Sequence, residues 1–214
     1  NIFDTNVVLD TSRKVIENVR DLLGACRGYL PFVGGKYSLI VETTGSASIT
    51  LNEDDIIDGF SLASADKNNK YNRVIVSFVN PDRNFQVDQA QFPPIDDSSL
   101  TSADQHATMK TADGGFLLEG KFDFPTITNF YQAEEMAEII LRRSREALAL
   151  DITVSFSAYE LAIGDIVNIT HSSLGFSSKA FRVMNMTFNE DFTIKLLLVE
   201  HQDSHYTYAS KTQV

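Results

Sequence analysis

A chain of 214 residues with 29 acidic and 18 basic side chains carries a formal net charge of −11. This charge argues against duplex DNA binding, because the chain as a whole repels phosphates. With 43% hydrophobic and 22% charged residues, the composition is that of a folded globular protein rather than a disordered one. No apolar run approaches the roughly 20 residues of a membrane-spanning helix, and the single cysteine excludes a disulfide within the chain.

The first residues, "NIFDTNVVLD", have a strand-like pattern and no initiator methionine. We therefore expect the chain to be a piece of a longer polypeptide. A helix is predicted next, over about residues 12–27, with Thr11 or Ser12 as its N-cap and with Gly28 and Pro31 ending it. Its apolar face recurs at three- and four-residue spacing, at Val15, Ile16, Val19, Leu22, Leu23 and Cys26. We expect Cys26 to be a buried structural thiol.

Alternating apolar and polar residues predict two hairpins in the first half. The first hairpin is predicted from "GGKYSLIVET" and "SASITL", around a short "TG" turn. The second is predicted over residues 72–92, around "NPDRN". Residues 93–115 are rich in Pro, Ser, Asp and Gly and lack apolar periodicity. They are predicted to be a long loop with at most a brief ordered stretch.

A second helix is predicted over about residues 129–148, in "TNFYQAEEMAEIILRRSREAL". Asn129 with Gln132 resembles a capping box, and its stripe of small and apolar residues suits close packing. Arg142, Arg143 and Arg145 lie where cations favour the negative end of a helix, and are most simply interpreted as a solvated face.

Four alternating strands follow, "DITVSFSAYE", "GDIVNIT", "KAFRVMNMTFN" and "FTIKLLLVEH", with one turn at Gly164–Asp165. The predicted fold class is α+β, predominantly antiparallel β. It comprises two β-rich halves, each a meander, small barrel or sandwich preceded by a packed α-helix. The predicted domains are residues 1–125, with the first helix and the hairpins, and residues 126–214, with the second helix and an antiparallel meander or barrel.

No sequence motif for catalysis or for a cofactor is found, and the chain has no phosphate-binding glycine loop and no "GxSxG". We expect no catalytic residue, cofactor or metal. His201 and His205 are the candidate metal ligands, since on a helix their spacing would place both imidazoles on one side. However, the segment ends a strand, so an exposed polar tail is the preferred interpretation. Aromatic residues at alternating strand positions, Phe78, Phe156, Phe181 and Phe188, are predicted to lie in the core.

The order of these motifs resembles the tail-tip proteins of long-tailed bacteriophages, the host-specificity J protein family and its tail-hub relatives. In that family a helix opening with "QA" and ending in arginines precedes a strand, a "GD" turn and a second strand. Here this is "QAEEMAEIILRRSRE" followed by "DITVSFSAYELAIGDIVNIT". "NVRDLLGACRGYLPFVGGKYSLIVE" is similar to the helix that the family ends in a Cys-Arg-Gly phrase. The motif's turn and helix-end residues are Gly28, Arg142, Arg145, Gly164 and Asp165.

The resemblance implies a non-enzymatic structural protein at the virion tail tip, made in the cytoplasm of the bacterial host. It implies a trimeric hub that helps to close the tail tube and connects it to host-attachment parts. Its partners would be copies of itself and other tail proteins: the tube, the tape measure and fibre parts. DNA would pass through the assembly without specific binding. Two alternatives stay open, namely a carbohydrate- or protein-binding module for host recognition and a tail-associated cell-wall hydrolase domain.

Overall fold

A computed structural model describes residues 3–57, 59–64, 70–146 and 148–206. In these ranges, no helix combines the length and the apolar character that a bilayer crossing requires.

The helices and strands of the described ranges are, in chain order, α1 (Val15–Cys26), β1 (Gly28–Tyr29), β2 (Phe32–Val33), β3 (Lys36–Tyr37), β4 (Ile40–Val41), β5 (Ile49–Leu51), β6 (Ser61–Ser64), β7 (Arg73–Asn80), β8 (Gln86–Phe92), α2 (His106–Ala112), β9 (Glu119–Asp123), α3 (Phe130–Glu146), β10 (Leu148–Val154), β11 (Ile166–His171), β12 (Phe176–Phe188) and β13 (Ile194–Glu200). Most strand pairs are antiparallel; β5–β11 and β7–β9 are parallel. The predicted α+β fold class with predominantly antiparallel β structure is confirmed.

Unit 1 comprises residues 1–41, 68–145 and 208–214. Its main sheet has the order β8-β7-β9. Alternate residues of β7 are buried, Val74, Val76 and Phe78, and they share one apolar core with Ala133, Ala137 and Leu141 of α3. The two-residue period of the strand and the small residues of the helix therefore produce a helix-on-sheet core.

Unit 2 comprises residues 42–67 and 146–207. Its six-stranded sheet has the order β5-β11-β12-β13-β10-β6. Strands β11, β12 and β13 form a meander, whereas β10 lies beside β13, which is the order of a Greek key. Among the described strands, the edge strands β5 and β6 are not paired with each other, so the sheet is not a closed barrel.

The two units do not follow the predicted boundary between residues 125 and 126. Helix α3 lies in unit 1, and residues 42–67 lie in unit 2. The reason is non-local pairing: β5 adds to β11 and β6 adds to β10, so a segment of the first half completes the sheet of the second half.

The two predicted long helices are confirmed, but their ends differ from the prediction. Helix α1 begins after Lys14, not after Thr11 or Ser12, and Arg27 ends it in the left-handed conformation, with φ of 54°. In α3, the Asn129 side chain accepts from the Tyr131 amide as an N-cap. The predicted capping box is incomplete, because Gln132 is buried and donates to the backbone oxygen of Ala25 at 3.1 Å.

Several predictions for the first half need correction. The hairpin around the "TG" turn is wrong, because β4 pairs with β1 and β5 pairs with β11. The strand predicted in the opening residues is also not formed: residues 3–10 are irregular. The hairpin over residues 72–92 is confirmed as β7–β8. The predicted loop over residues 93–115 contains the seven-residue helix α2.

Burial also differs from the prediction at three side chains. Phe78 and Phe181 lie in the two cores, but Phe156 and Phe188 are exposed. Phe156 begins a short 3₁₀ helix, Phe156–Glu160, rather than continuing β10. Phe188 is the last residue of β12. Cys26 is a free thiol that is only partly buried, because Ala25 takes the fully buried position at the end of α1.

Candidate functional site

Residues 28–41, which we call the β-arm, form a two-stranded ribbon in one continuous register. The paired residues are Gly28 with Val41, Tyr29 with Ile40, Phe32 with Tyr37, and Val33 with Lys36. The Ser38 amide donates to the Pro31 oxygen at 3.1 Å and keeps this register between the two ladders. Gly34 and Gly35 make the turn with φ of 60° and 79°, as a two-residue hairpin loop with two positive φ values requires.

One face of the β-arm is apolar and open to solvent. Directly paired residues share a face, and the face alternates along the ribbon. Phe32, Tyr37, Leu39 and Val41 therefore lie on the same side, and they are 61%, 68%, 62% and 44% exposed. The Phe32 and Tyr37 rings contact each other with centroids 4.8 Å apart. A ribbon of two strands with an uncovered apolar face is marginally stable in water, which marks the β-arm as an interaction surface.

Gly28 lies at the base of the β-arm, where a side chain would be crowded. A Cβ atom there would lie 3.0 Å from both Cys26 Sγ and Leu23 Cδ2, and 3.4 Å from Leu39 Cδ1. The close contact between the ribbon and the end of α1 therefore explains why residue 28 is a glycine. The residue before it, Arg27, takes the left-handed φ that ends the helix.

Arg145 and Arg142 have different environments although both lie in the last turns of α3. Arg145 contacts the carboxylate of Asp113, which follows α2, and also donates to the Tyr71 oxygen. Arg142 pairs with Glu138 one turn earlier, at 2.9 Å, and with Asp104 at 3.6 Å. The interpretation of these arginines as a solvated face therefore does not hold for Arg145, whose contacts join α3 to the segments around it.

The Gly164–Asp165 turn is fixed to β12 by backbone hydrogen bonds. Gly164 has φ of 97°, and its amide donates to the Val183 oxygen at 2.8 Å. The Val183 amide donates in return to the Asp165 oxygen at 2.9 Å. The Asp165 carboxylate accepts from the Ala162 amide at 2.9 Å, so both residues set the entry into β11.

His201 lies in a buried polar network of unit 2, not in an exposed tail as predicted. Arg182 Nη2 contacts Nδ1 at 3.3 Å, and the opposite ring nitrogen lies 2.9 Å from Asp203 Oδ1. Because a guanidinium has no acceptor, Nδ1 accepts and Nε2–H donates. Arg182 also donates to the oxygens of Thr43 and Gly164. Burial lowers the pKa of His201, and the Arg182 charge adds to this, although Asp203 and Glu42 oppose it.

The two candidate metal ligands, His201 and His205, have other contacts in the described part of the chain. His205 is buried in the 3₁₀ helix Asp203–Tyr206, and the Tyr206 ring stacks on that of His201. In the described part of the chain, no three His, Cys, Asp or Glu side chains are grouped so that they could hold a metal ion.

A second exposed surface consists of three aromatic side chains of unit 2, which we call the aromatic cluster. Phe156 and Tyr159 are stacked with centroids 5.3 Å apart, and Phe192 packs edge-on against Phe156 at 6.2 Å. All three are exposed. Phe192 has φ of 61° and lies in the turn between β12 and β13, where its amide donates to the Asn189 oxygen at 3.3 Å.

Sequence reasoning did not find the β-arm, the aromatic cluster or the pairing of Asp113 with Arg145. The "GG" between two apolar runs is the available signal for the β-arm, but only the second run is predicted as a strand, and its predicted partner is "SASITL". Nothing local in the sequence marks Asp113 as the partner of a residue 32 positions away.

Comparison with known proteins identifies the family. The family described as "Putative phage tail protein" matches residues 14–186. The chain belongs to this phage tail family. The tail protein is 26% identical over 200 residues to the baseplate hub protein pb3 of Escherichia phage T5; the match covers 94% of this chain and 20% of that protein. It thus spans about a fifth of the length of this curated relative.

Solved structures share the fold of the tail protein. A chain of the virion of the native gene transfer agent particle has a TM-score of 0.65 at 16% identity, with 92% of this chain and 41% of that chain covered. A tail protein from Neisseria meningitidis MC58 has a TM-score of 0.56 at 13% identity, with 91% of this chain and 56% of that chain covered.

Proposed function

We propose that the tail protein is a structural part of the baseplate hub at the tip of a phage or prophage tail. The observation that carries this proposal is the family match over residues 14–186, together with the similarity to a baseplate hub protein over 94% of the chain. The hub would help to close the tail tube before infection and connect it to the parts that attach to the host. The role is mechanical, and no catalytic residue is assigned.

The partners in this proposal are copies of the chain itself, assembled as a ring of three, and neighbouring tail proteins of the tube, the tape measure and the fibres. The chain would be made in the host cytoplasm and would then be part of the virion. Its net charge of −11 supports a passage that DNA crosses without binding, because few phosphates would meet basic partners. A ring structure with a neutral or basic lumen would contradict this part of the proposal.

Immunogold labelling of intact particles with antibodies against the chain tests the location. We expect gold at the distal end of the tail. Labelling along the tube or on the head would overturn the hub proposal.

A genetic experiment tests the role in assembly. An early stop codon in the gene should give particles without complete tails, and a plasmid copy of the gene should restore them. A stop codon in a receptor-binding gene of the same phage serves as the control, since tails should then assemble normally.

The aromatic cluster favours a second candidate function, the binding of host cell-surface carbohydrate. Exposed aromatic rings offer apolar faces on which sugars stack. A glycan array tests this candidate: binding by the wild-type chain that is lost in Phe156→Ala and kept in the matched variant Phe188→Ala would support it. An array without signal for the wild-type chain would exclude this function for this piece.

A further inference from the structure

Unit 1 has a groove that is separate from the β-arm and is lined mainly by apolar residues. Its volume is about 610 Å³, and the apolar residues that line it are Val7, Val8, Leu9, Val79, Phe85 and Pro125. Val8 and Phe85 are strongly exposed. Phe85 is held at φ of 58°, so that the turn after β7 presents a large apolar side chain in a backbone conformation that bulky residues seldom adopt.

An acidic recess adjoins this groove. The recess has a volume of about 590 Å³ and shares Asn6 and Thr128 with the groove. Asp4 and Asp82 are part of its lining, and no lysine or arginine is among the described residues that form it. The combined surface is therefore mostly apolar in the groove, apart from the paired Arg13 and Asp21, and negatively charged in the recess.

The β-arm has the matching arrangement of apolar and charged groups. Phe32, Tyr37, Leu39 and Val41 form its exposed face, and Lys36, next to the Gly34–Gly35 turn, is the only charged residue in residues 28–41. We propose that the β-arm of one copy docks into the groove of a second copy, with Lys36 directed to Asp4 and Asp82. This proposal deepens the proposed hub function by naming the surfaces through which copies associate.

Lys36 and the acidic recess have opposite charges, and this local complementarity supports a second copy as the occupant although the net charges of two copies repel. At a net charge of −11, two copies repel each other over most of their surfaces. A contact between copies therefore requires a surface that is neutral or complementary. The β-arm, with a single positive charge, meets this requirement, and the acidic recess supplies the opposite charge for Lys36.

The positions of the two surfaces make the contact head-to-tail. The β-arm leaves the C-terminal end of α1, whereas the groove is lined by Arg13, which precedes α1, by Asn18 in its first turn and by Asp21 in its middle. Two distinct surfaces allow each copy to give its β-arm to the next copy instead of exchanging β-arms with one partner. Such an interface is heterologous, and its repetition generates a closed ring or a filament. A closed ring agrees with the hub arrangement proposed above.

A charge exchange tests the contact without changing the core. Sedimentation equilibrium of the wild-type chain should show concentration-dependent association. Lys36→Glu should raise the dissociation constant at least about tenfold, and the double variant Lys36→Glu/Asp82→Lys should recover most of the loss. The matched control is Lys195→Glu, which makes the same change of net charge at an exposed lysine of unit 2. An effect of Lys36→Glu no larger than that of the control, or no recovery in the double variant, would overturn the proposal.

Crosslinking tests the orientation of the contact. In a Cys26→Ser background, Tyr37→Cys and Val8→Cys chains of different tag length are mixed under mild oxidation. Disulfide-linked heterodimers in the mixture, with little product from either chain alone, are the expected result. Dimers of Tyr37→Cys alone would mean that two β-arms face each other, which contradicts head-to-tail docking.

Two further outcomes would overturn the docking of the β-arm without contradicting the hub proposal, which the immunogold labelling tests. One is a wild-type chain that sediments as a monomer throughout. The other is a photo-crosslinker at Tyr37 that, in intact virions, captures a different tail protein instead of a second copy. Gold labelling at the tail tip does not depend on either result, so the two proposals fail separately.

Discussion

Arg145 contacts Asp113 through both of its terminal guanidinium nitrogens, with Nη1–Oδ2 at 2.7 Å and Nη2–Oδ1 at 3.3 Å. The Asp113 side chain is only 2% exposed, and Lys70 Nζ and Asn72 Nδ2 also donate to it, at 2.8 and 3.1 Å. These donors satisfy the hydrogen-bonding capacity of the buried carboxylate. Removal of one donor would therefore lower the stability of the fold. The pair therefore joins the end of α3 to the segment after α2 within unit 1.

Arg145→Ala is expected to lower the free energy of unfolding by roughly 2–3 kcal/mol, because it leaves a buried carboxylate without its two-point partner. Arg142→Ala, three residues earlier, should cost only about 0.5 kcal/mol, because its pair with Glu138 is partly exposed and one helical turn apart. Urea denaturation of both variants measures the difference. Equal losses would contradict a special role for the Asp113 pair.

The stability of unit 1 should depend on pH through Asp113. Burial raises the pKa of Asp113, but hydrogen bonds from Arg145, Lys70 and Asn72 outweigh it and lower the pKa from 3.8 to about 2. A carboxylate with a lowered pKa stabilises the fold above its unfolded pKa and loses this contribution as the pH falls through the folded value. We expect about 2 kcal/mol to be lost between about pH 4 and about pH 2.

Asp113→Asn provides the control for this pH dependence. The variant is less stable at neutral pH, but it lacks the carboxylate that titrates. Its free energy of unfolding should therefore fall less than that of the wild type over the same acidic range. Parallel pH profiles of the two proteins in urea titrations would count against this assignment.

His201 should make unit 2 sensitive to mild acid. The pKa of His201 is lowered from 6.5, first by burial, so the folded state binds the proton more weakly than the unfolded state does. The stabilisation is complete above about pH 6.5 and is lost as the pH falls toward the folded pKa. Protonation would place an Nδ1–H against Arg182, 3.3 Å away.

His201→Gln tests this effect, because the amide oxygen can accept from Arg182 and the amide nitrogen can donate to Asp203 without titrating. The fall in Tm from about pH 7.5 to about pH 5.5 should be smaller in this variant than in the wild type. His106→Gln is the matched variant in unit 1, where burial also lowers a histidine pKa. If only that variant flattened the pH profile, His201 would not be the sensitive group.

Gly164→Ala should destabilise unit 2 by at least about 1 kcal/mol, because a side chain is strained at positive φ. The φ of Gly164 is 97°, and the hydrogen bond from its amide to Val183 of β12 holds the residue in this conformation. Gly59→Ala is the control, since a Cβ atom there meets no atom within 4 Å and its φ is ordinary. Thermal unfolding of both variants gives the comparison, and a Gly164→Ala protein as stable as the control would show that the turn adapts.

Local sequence patterns predict several helices and strands of this protein correctly, although not all of them. The alternation at Val74, Val76 and Phe78 predicted a strand with one buried face, and the same residues lie in the core. The small-residue stripe of α3 likewise predicted a helix that packs closely. These features depend on periods of two and of about 3.6 residues along the chain, so neighbouring residues alone specify them.

The partners of several strands and the exposure of several side chains follow from the three-dimensional fold and not from local patterns. The apolar runs of β4 and β5 are compatible with a hairpin between these two strands. In the structure, however, β4 pairs with β1 and β5 pairs with β11. Gln132 had the spacing of a capping residue, yet it bonds to Ala25, 107 positions away. Phe156 and Phe181 have the same alternating pattern, and one is exposed while the other is buried. Strand pairing and burial depend on contacts between residues that are distant in the sequence. A local pattern specifies which face of an element is apolar, but it is compatible with several partners for that face.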